Sequence, residues 1–349
     1  MNRIIDTTLD PRITTTEDTV EVSAADSNFS MIRQDYATNT IVKTVATSKN
    51  TTIDPITGTA TIKRGSLTIM IPHYAELSGL KTSTSQLFDQ LMIHLTDNGI
   101  KSPTVIISQD EYMKRRHLTN RKEAKKQEKA DLKILAPLSF SWEETREGKL
   151  ESFGFINLAD SGKVERNGDI VFTFGSTFFN KAKTFSTMPY PEQLQRLNGK
   201  RNPYSYAFLR KISEHKHMNS GKENEDIISV QTLLDAAETM PTYEEVKRTD
   251  RAFSRRIMEP FERDMDAIAD TLTWEYCHRK GVTLTDSELN DMDFQMFRTL
   301  LVHTEWKDYP DQTRRLERKA QRTKSVKQKT GGKEQQRHPR KRKNGAGEN

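Results

Sequence analysis

SQDEYMKRRHLTNRKEAKKQEKADLKIL, residues 108–135, is the stretch on which the fold turns. Ser108 and Glu111 stand three apart, the spacing of a capping box in which each side chain satisfies the other's free amide at a helix start. That helix is short, because His117-Leu118-Thr119-Asn120 interrupts it. A second helix is predicted from Arg121 to Leu135, closed by Pro137. Two helices joined by a tight turn, the second longer and basic, make a helix-turn-helix.

On a wheel of about 100° per residue with Ala124 at zero, Ala124, Glu128, Asp131, Leu132 and Leu135 gather on one side. Lys122, Lys125, Lys126 and Lys129 fall opposite them, with Arg121 on the flank. Glu128 departs from the apolar stripe. A solvated lysine face is the competing reading, but a basic second helix followed by a hairpin is placed to touch DNA. Strand-like segments come after it: Leu138–Trp142, Phe153–Ile156, a polar turn at Asp160-Ser161-Gly162, then Ile170–Phe174 after Asn167-Gly168. These residues supply the hairpin, or wing.

Upstream, Leu87, Phe88, Leu91, Met92 and Leu95 recur at helical spacing over Thr84–Asp97, and Val105-Ile106-Ile107 reads as a short strand. Ala60–Ile71 alternates as one or two strands around Arg64-Gly65. Residues 1–60 are rich in Thr, Ser, Asn and Asp and read as a disordered leader. Downstream, a helix is predicted over Pro203–His217, with proline at its first position.

The plan then repeats. Ile228-Ser229-Val230 leads into a helix over Gln231–Ala237, Pro241-Thr242 opens Tyr243–Arg248, and Thr249-Asp250 caps a long helix over Arg251–Ala269. Phe253, Ile257, Phe261, Asp264, Met265 and Ile268 share one side of that helix, despite Pro260. Arg251 and Arg255 face away, Arg256 lies on a flank, and Arg248 stands just before it. Farther along the outward face come Glu259, Glu262 and Asp266, which repel phosphate, so only the first two turns suit a groove. The guanidinium fork pairs with guanine's two acceptors, whereas lysines mostly hold phosphates. The second half is therefore expected to read more sequence and the first to supply more charge. A salt-bridged surface helix is the competing reading. Leu272–Cys277 is a strand, His278–Gly281 a basic turn carrying Arg279 and Lys280, and Leu300–Trp306 the returning strand.

The chain has 349 residues, 34% of them hydrophobic, and a mean hydropathy of −0.79. Length suits two ordinary domains and tails. The formal charge of +6 is unevenly placed: residues 309–349 hold 14 Lys+Arg against 4 Asp+Glu, net +10, which leaves −4 for residues 1–308. Arg340-Lys341-Arg342-Lys343 is the densest cluster of this tail, expected to be mostly disordered and to hold DNA without regard to sequence. The expected fold class is α+β, with a leader over 1–60, winged-helix domains over 61–218 and 219–308, and a basic tail over 309–349.

Enzyme readings fare badly. No GxxxxGK[ST] loop occurs, and a single cysteine, Cys277, excludes an intrachain disulfide and any site needing several thiolates. His215-Lys216-His217 has the form of a metal pair but sits between polar residues at a helix end, not on an apolar strand. Trp142, Trp274 and Trp306 lie in strand-like runs and read as packing residues. No cofactor, metal or catalytic residue is expected. No apolar run reaches the 18 or so residues of a membrane span, and MNRIIDTTLD has no signal-peptide pattern, so the chain reads as cytoplasmic.

The order of parts over residues 66–308 resembles the Rep superfamily of plasmid replication initiators, which bind repeated origin sequences called iterons. Gln86–Leu91 is similar to that family's opening helix, and Asn202–Arg210 to the helix closing its first winged helix. Tyr243–Val246, Phe253–Phe261, Ile268 and Thr273–Tyr276 resemble its second recognition helix and wing strand. The resemblance implies two winged-helix domains, monomer binding to double-stranded origin repeats, and in some members a dimer that represses its own gene. Host replication initiator and helicase-loading proteins are the further partners it implies. The leader, the segment between Gly281 and Phe297 and the tail depart from the pattern. A transcriptional or partition regulator on the same architecture is the alternative, and a relaxase accessory protein a third.

Overall fold

The apolar spacing read over Thr84–Asp97 becomes a helix at the centre of the molecule. In the computed structural model its five apolar positions Leu87, Phe88, Leu91, Met92 and Leu95 are all buried, and so are Gln86, Asp89 and Gln90 on the other faces. The structure describes residues 2–5, 20–23, 28–35, 38–40, 42, 51–64, 67–72, 74, 81–146, 149–248, 253–278, 281–285, 288 and 292–310. The fold is mixed α and β, and the described residues belong to one unit, Met1–Pro310.

In chain order come β1 (Asn2–Ile5), β2 (Val20–Ser23), β3 (Phe29–Gln34), β4 (Thr51–Ile53), β5 (Ala60–Arg64) and β6 (Leu67–Ile71). Then follow α1 (Thr82–Asp97), β7 (Thr104–Ile107), α2 (Gln109–Arg115), α3 (Arg121–Leu135), β8 (Ser139–Arg146), β9 (Lys149–Asn157), β10 (Ala159–Val164) and β11 (Ile170–Phe174). After these come α4 (Ser176–Ala182), β12 (Ser186–Pro191), α5 (Gln193–Arg196), α6 (Ser205–Asn219), β13 (Ile227–Ser229), α7 (Val230–Ala236) and α8 (Tyr243–Arg248). A π turn (Ser254–Met258) leads into α9 (Glu259–Asp266), then β14 (Leu272–Cys277), α10 (Phe294–Thr299) and β15 (Leu301–Trp306).

Two runs share one plan. The first is α1-β7-α2-α3-β10-β11, with antiparallel strands in the order β7-β11-β10. The second is α6-β13-α7-α8-α9-β14-β15, with strands in the order β13-β15-β14. In both, the last strand lies between the first and second strands of its run. The runs share this strand order but not every element: β8 and β9, which belong to another sheet, lie between α3 and β10, and α10 lies between β14 and β15.

Several expectations are corrected. The leader is partly strand: Phe29–Gln34 is buried throughout and pairs antiparallel with β12, Ile32 opposite Met188. Its apolar residues are few, but Phe29, Met31 and Ile32 all reach the core. Leu138–Trp142 and Phe153–Ile156 do not belong to the wing. As β8 and β9 they join β4, β5 and β6 in a five-stranded sheet, with Phe140 opposite both Ile156 and Ile69. Asp160-Ser161-Gly162 is strand, not turn. Gly162 lets α3 approach, since a Cβ there would stand 3.1 Å from Leu132 and 3.3 Å from Ala136. The turn lies at 165–169, where Gly168 takes φ +98°, a conformation glycine adopts without strain. The helix expected from Pro203 starts at Ser205, and the Tyr204 amide just before it donates to Asp264 Oδ2 (2.5 Å).

The two runs share a polar core. Tyr190 Oη (2.9 Å) and Tyr206 Oη (2.5 Å) donate to Asp89 Oδ2, and Arg210 Nη1 donates to Asp89 Oδ1 (2.6 Å). Arg210 Nη2 also reaches Gln34 (3.0 Å) and Asn39 (3.2 Å). The boundary drawn after residue 218 falls near the end of α6, which serves both runs. Tyr206 and Arg210 bind α1, while the Phe208 ring lies 5.0 Å from Phe261 of α9.

Candidate nucleic-acid interface

The start of α3 is fixed by Asn120, whose Oδ1 accepts the amides of Lys122 (3.0 Å) and Glu123 (3.1 Å). Just upstream Ser108 caps α2, its hydroxyl accepting the Glu111 amide at 3.2 Å. Ala124, Glu128, Asp131, Leu132 and Leu135 are all buried, as the wheel has them, and Ile134 joins them. Asp131 Oδ1 accepts from Ser83 (2.9 Å), Thr84 (2.7 Å) and Gln127 (2.9 Å), which locks α3 onto α1. Glu128 is fully buried, and neither carboxyl oxygen has a hydrogen-bond partner among the described residues. Burial pushes its carboxyl up to about 7, against the pull of Lys125 and Arg116.

On the opposite side Lys122, Lys126 and Lys129 are exposed. Lys133, missed in the sequence reading, is exposed too and completes the stripe at positions i, i+4, i+7 and i+11. The four ammonium groups run along about 16 Å of helix. Lys125 does not belong with them: it is half-buried, and its Nζ donates to the Arg166 carbonyl at 2.6 Å. Arg121 is exposed and forms an ion pair with Asp110.

The β10–β11 hairpin is tied to this helix. The Gln109 amide donates to Asp169 Oδ1 (3.1 Å), and Gln109 Nε2 donates to the Arg121 carbonyl (3.1 Å). Gly168 packs on the same glutamine, where a Cβ would stand 2.4 Å from its side chain. One residue therefore links the start of α2, the start of α3 and the hairpin turn. Arg166 is exposed at that turn and is a second basic residue the sequence reading missed. Its signal was the Asn167-Gly168 pair, which marks a hairpin tip.

In the second run Thr242 and Glu245 form a capping box for α8, the Glu245 amide donating to Thr242 Oγ1 (3.3 Å) and the Thr242 amide to Glu245 Oε2 (2.8 Å). Arg248, Arg255 and Arg256 are exposed. The helix read as continuous over 251–269 contains the π turn and ends at Asp266. Phe253 and Met258 are half-buried, and Ile257, Phe261, Asp264, Met265 and Ile268 are buried. Arg251, Arg279, Lys280, Arg340, Lys341, Arg342 and Lys343 lie outside the described residues. The His278 amide donates to the Val282 carbonyl at 2.8 Å.

His215 and His217 are not brought together as ligands. His215 Nε2 lies 2.9 Å from the Asn224 carbonyl, whereas His217 is buried. Among the described residues no group of three or more His, Cys, Asp and Glu could hold a metal ion, and no helix is long and apolar enough to cross a membrane. Cys277 is buried and free. Trp142 packs over Gly154 and under Lys181 Nζ (4.3 Å), Trp274 stands edge-on to Phe261, and Trp306 lies 6.0 Å from Phe29.

No protein-family model matches the chain, and no curated protein matches it. Among solved structures, a crystal structure of domains 2 and 3 of RctB is similar, with a TM-score of 0.44 and 10% identity over 77% of this chain and 98% of that one. A second crystal structure of the same two domains gives a TM-score of 0.40 and 11% identity, over 77% and 96% of the two chains.

Proposed function

We propose that this chain binds double-stranded DNA through two winged-helix modules, α1 to β11 and α6 to β15, and does so without catalysis. The observation that carries the reading is the lysine stripe of α3. Four exposed ammonium groups lie on the second helix of a helix-turn-helix, its opposite face is buried, and the adjoining hairpin is fastened to its first turn. Such a helix fits the major groove, and its lysines replace counterions condensed on phosphate. In the second module the exposed Arg248, Arg255 and Arg256 are the proposed base-reading residues, and Arg279 and Lys280, outside the described residues, are proposed as further contacts. The tail adds attraction that is blind to sequence.

The resemblance of residues 66–308 to plasmid initiators makes repeated origin sites the target, and the bound DNA the start point of replication in the cytoplasm. Footprinting of the full chain on the DNA flanking its gene tests this. Protection of several direct repeats of about 20 base pairs, two helical turns, supports the reading, and protection of one inverted repeat replaces it with a regulator. Binding is expected to be unchanged by a chelator. Loss of binding in EDTA, or strand nicking that needs His215 or His217, overturns the non-catalytic reading.

A further inference from the structure

The second recognition helix is not a plain α-helix. The Glu259 amide donates to the Ser254 carbonyl, five residues back, so residues Ser254–Met258 form a π turn. Two features of the sequence call for it. Pro260 has no amide hydrogen and cannot close the α-type bond to residue 256. The second is the placing of two aromatic anchors. Phe253 lies 5.5 Å from Phe297, and Phe261 lies 5.4 Å from the same ring. In an α-helix each step of four residues overshoots a full turn by about 40°, so these anchors would diverge by about 80°. A π turn holds an extra residue, takes up the overshoot, and lets Phe253, Ile257 and Phe261 enter one core.

The same wider turn moves the arginines. In a regular helix Arg256 would lie about 60° from Phe253, on the border of the buried stripe. Here Arg255 and Arg256 are both exposed, and the nearest carboxylate in sequence, Glu259, accepts from Ser254 Oγ at 3.2 Å within the turn. We infer that the π turn Ser254–Met258, set by Pro260, positions Arg255 and Arg256 together to read base edges and so determines the sequence preference of the second module. This rests on the DNA-binding reading proposed above. Pro260 and Ser254 are positioning residues: neither needs to touch DNA.

The test is selection from a duplex pool of random sequence by four full-length chains, with thermal melting of each. The first three are the unaltered protein, Arg255→Ala and Pro260→Ala. In the fourth, Ser254 is deleted and Pro260→Ala is added. That chain can wind a regular helix in which Phe253 and Phe261 differ by only about 20°, and it keeps both arginines and the net charge. It is expected to melt at or above the original temperature and to bind the whole pool within about twofold. At the base positions where Arg255→Ala loses preference, it should lose about tenfold or more, the worth of one bidentate base contact. Pro260→Ala alone should melt higher and lose part of that preference. If the deletion chain or Pro260→Ala fails to melt cooperatively, the other carries the comparison. If folded variants keep the full preference while Arg255→Ala loses it, the π turn only packs the core and the inference falls, though DNA reading stands. If the unaltered chain enriches no sequence, the reading of the second module falls, and the inference with it.

Discussion

The two basic helices solve the same packing problem in opposite ways. α3 buries one face, leaves the other to four lysines from its first turn to its last, and winds regularly throughout. The helix over 253–266 places its arginines at the start, then turns to Glu259, Glu262 and Asp266, and carries a π turn between its aromatic anchors. A long row of point charges suits a continuous phosphate backbone, where position matters little. Paired guanidinium forks followed by carboxylates suit insertion by one end, where position decides the outcome. On the proposed DNA-binding reading, this difference would give affinity to the first module and discrimination to the second.

That division requires the two modules to be held as one body, and the largest expected effect comes from breaking the hold. Arg210 is almost fully buried against Asp89, Tyr206 and Gln34, so it joins α6 to α1 and to β3. Arg210→Met leaves a buried carboxylate without its cation, which costs about 3–5 kcal/mol. Urea unfolding followed by the tryptophans of both halves, Trp142 and Trp274, should show them lose stability together. A loss confined to one probe would mean the modules are independent, and the comparison would then be between two separate binders.

Next in size is the charge stripe. Changing Lys122, Lys126, Lys129 and Lys133 together to alanine should weaken every duplex by on the order of a hundredfold and make the slope of log affinity against log salt shallower by about three to four units. The ratio of cognate to random binding should hardly move. Arg255→Ala should do the reverse, costing about 1–3 kcal/mol on the cognate site alone. If both changes act alike, the proposed division of labour is wrong.

How much of this was legible depends on the range of the interaction that decides it. Local spacing placed α3 over Arg121–Leu135 and found Glu128 inside the apolar stripe, whereas the Asn120 cap emerged only in the folded chain. The same wheel held the signal for Lys133, which stands opposite Ala124, but a cluster of consecutive lysines drew attention to Lys125 instead. What removes Lys125 from the stripe is a carbonyl 41 residues away, on Arg166, and no local pattern carries that. Phe29–Gln34 is a strand only because β12, some 150 residues later, offers it a partner. The π turn was hidden for a different reason. Pro260 signalled a disturbance, but its form depends on where Phe297 sits, and that is settled by packing.

Glu128 offers a third, smaller handle on the same comparison, because it lies directly beneath the lysine stripe of the first module. Its carboxyl titrates at about 7 in the folded chain, raised from an ordinary 4.5 mainly by burial. The groups that bear on it are Lys125 and Arg116, which pull it down, and Asp169 and Asp131, which push it up. A raised carboxyl keeps its proton longer in the folded than in the unfolded chain. The folded state therefore holds its full advantage below about pH 4.5 and loses it as pH climbs through 7. Glu128→Gln should remove that loss, raising stability at pH 8 by about 2–3 kcal/mol and at pH 5 by less than about 1 kcal/mol. Urea melts at the two pH values check this. Equal effects at both would mean the carboxyl is hydrated and titrates normally.

The smallest expected effect concerns Arg121, which the sequence placed on the flank of the basic face. In the folded chain its guanidinium pairs with Asp110 on α2, and both side chains are well exposed. An exposed pair of this kind is worth about 0–1 kcal/mol, so it adds little to stability. It matters more to binding, because a phosphate must compete with a carboxylate already in place. Removing the arginine then also frees Asp110, a negative charge at the edge of the interface. Arg121→Ala should therefore weaken binding to all duplexes by only a few-fold, about 1 kcal/mol or less. Asp110→Ala should act in the other direction, strengthening binding by a similar factor and steepening the salt slope by up to about one unit as Arg121 gains a phosphate. The second change is the sharper test, since few substitutions improve DNA affinity by chance. If Asp110→Ala leaves both affinity and salt slope unchanged, Arg121 faces away from the DNA, and the interface of the first module is the lysine stripe and hairpin alone.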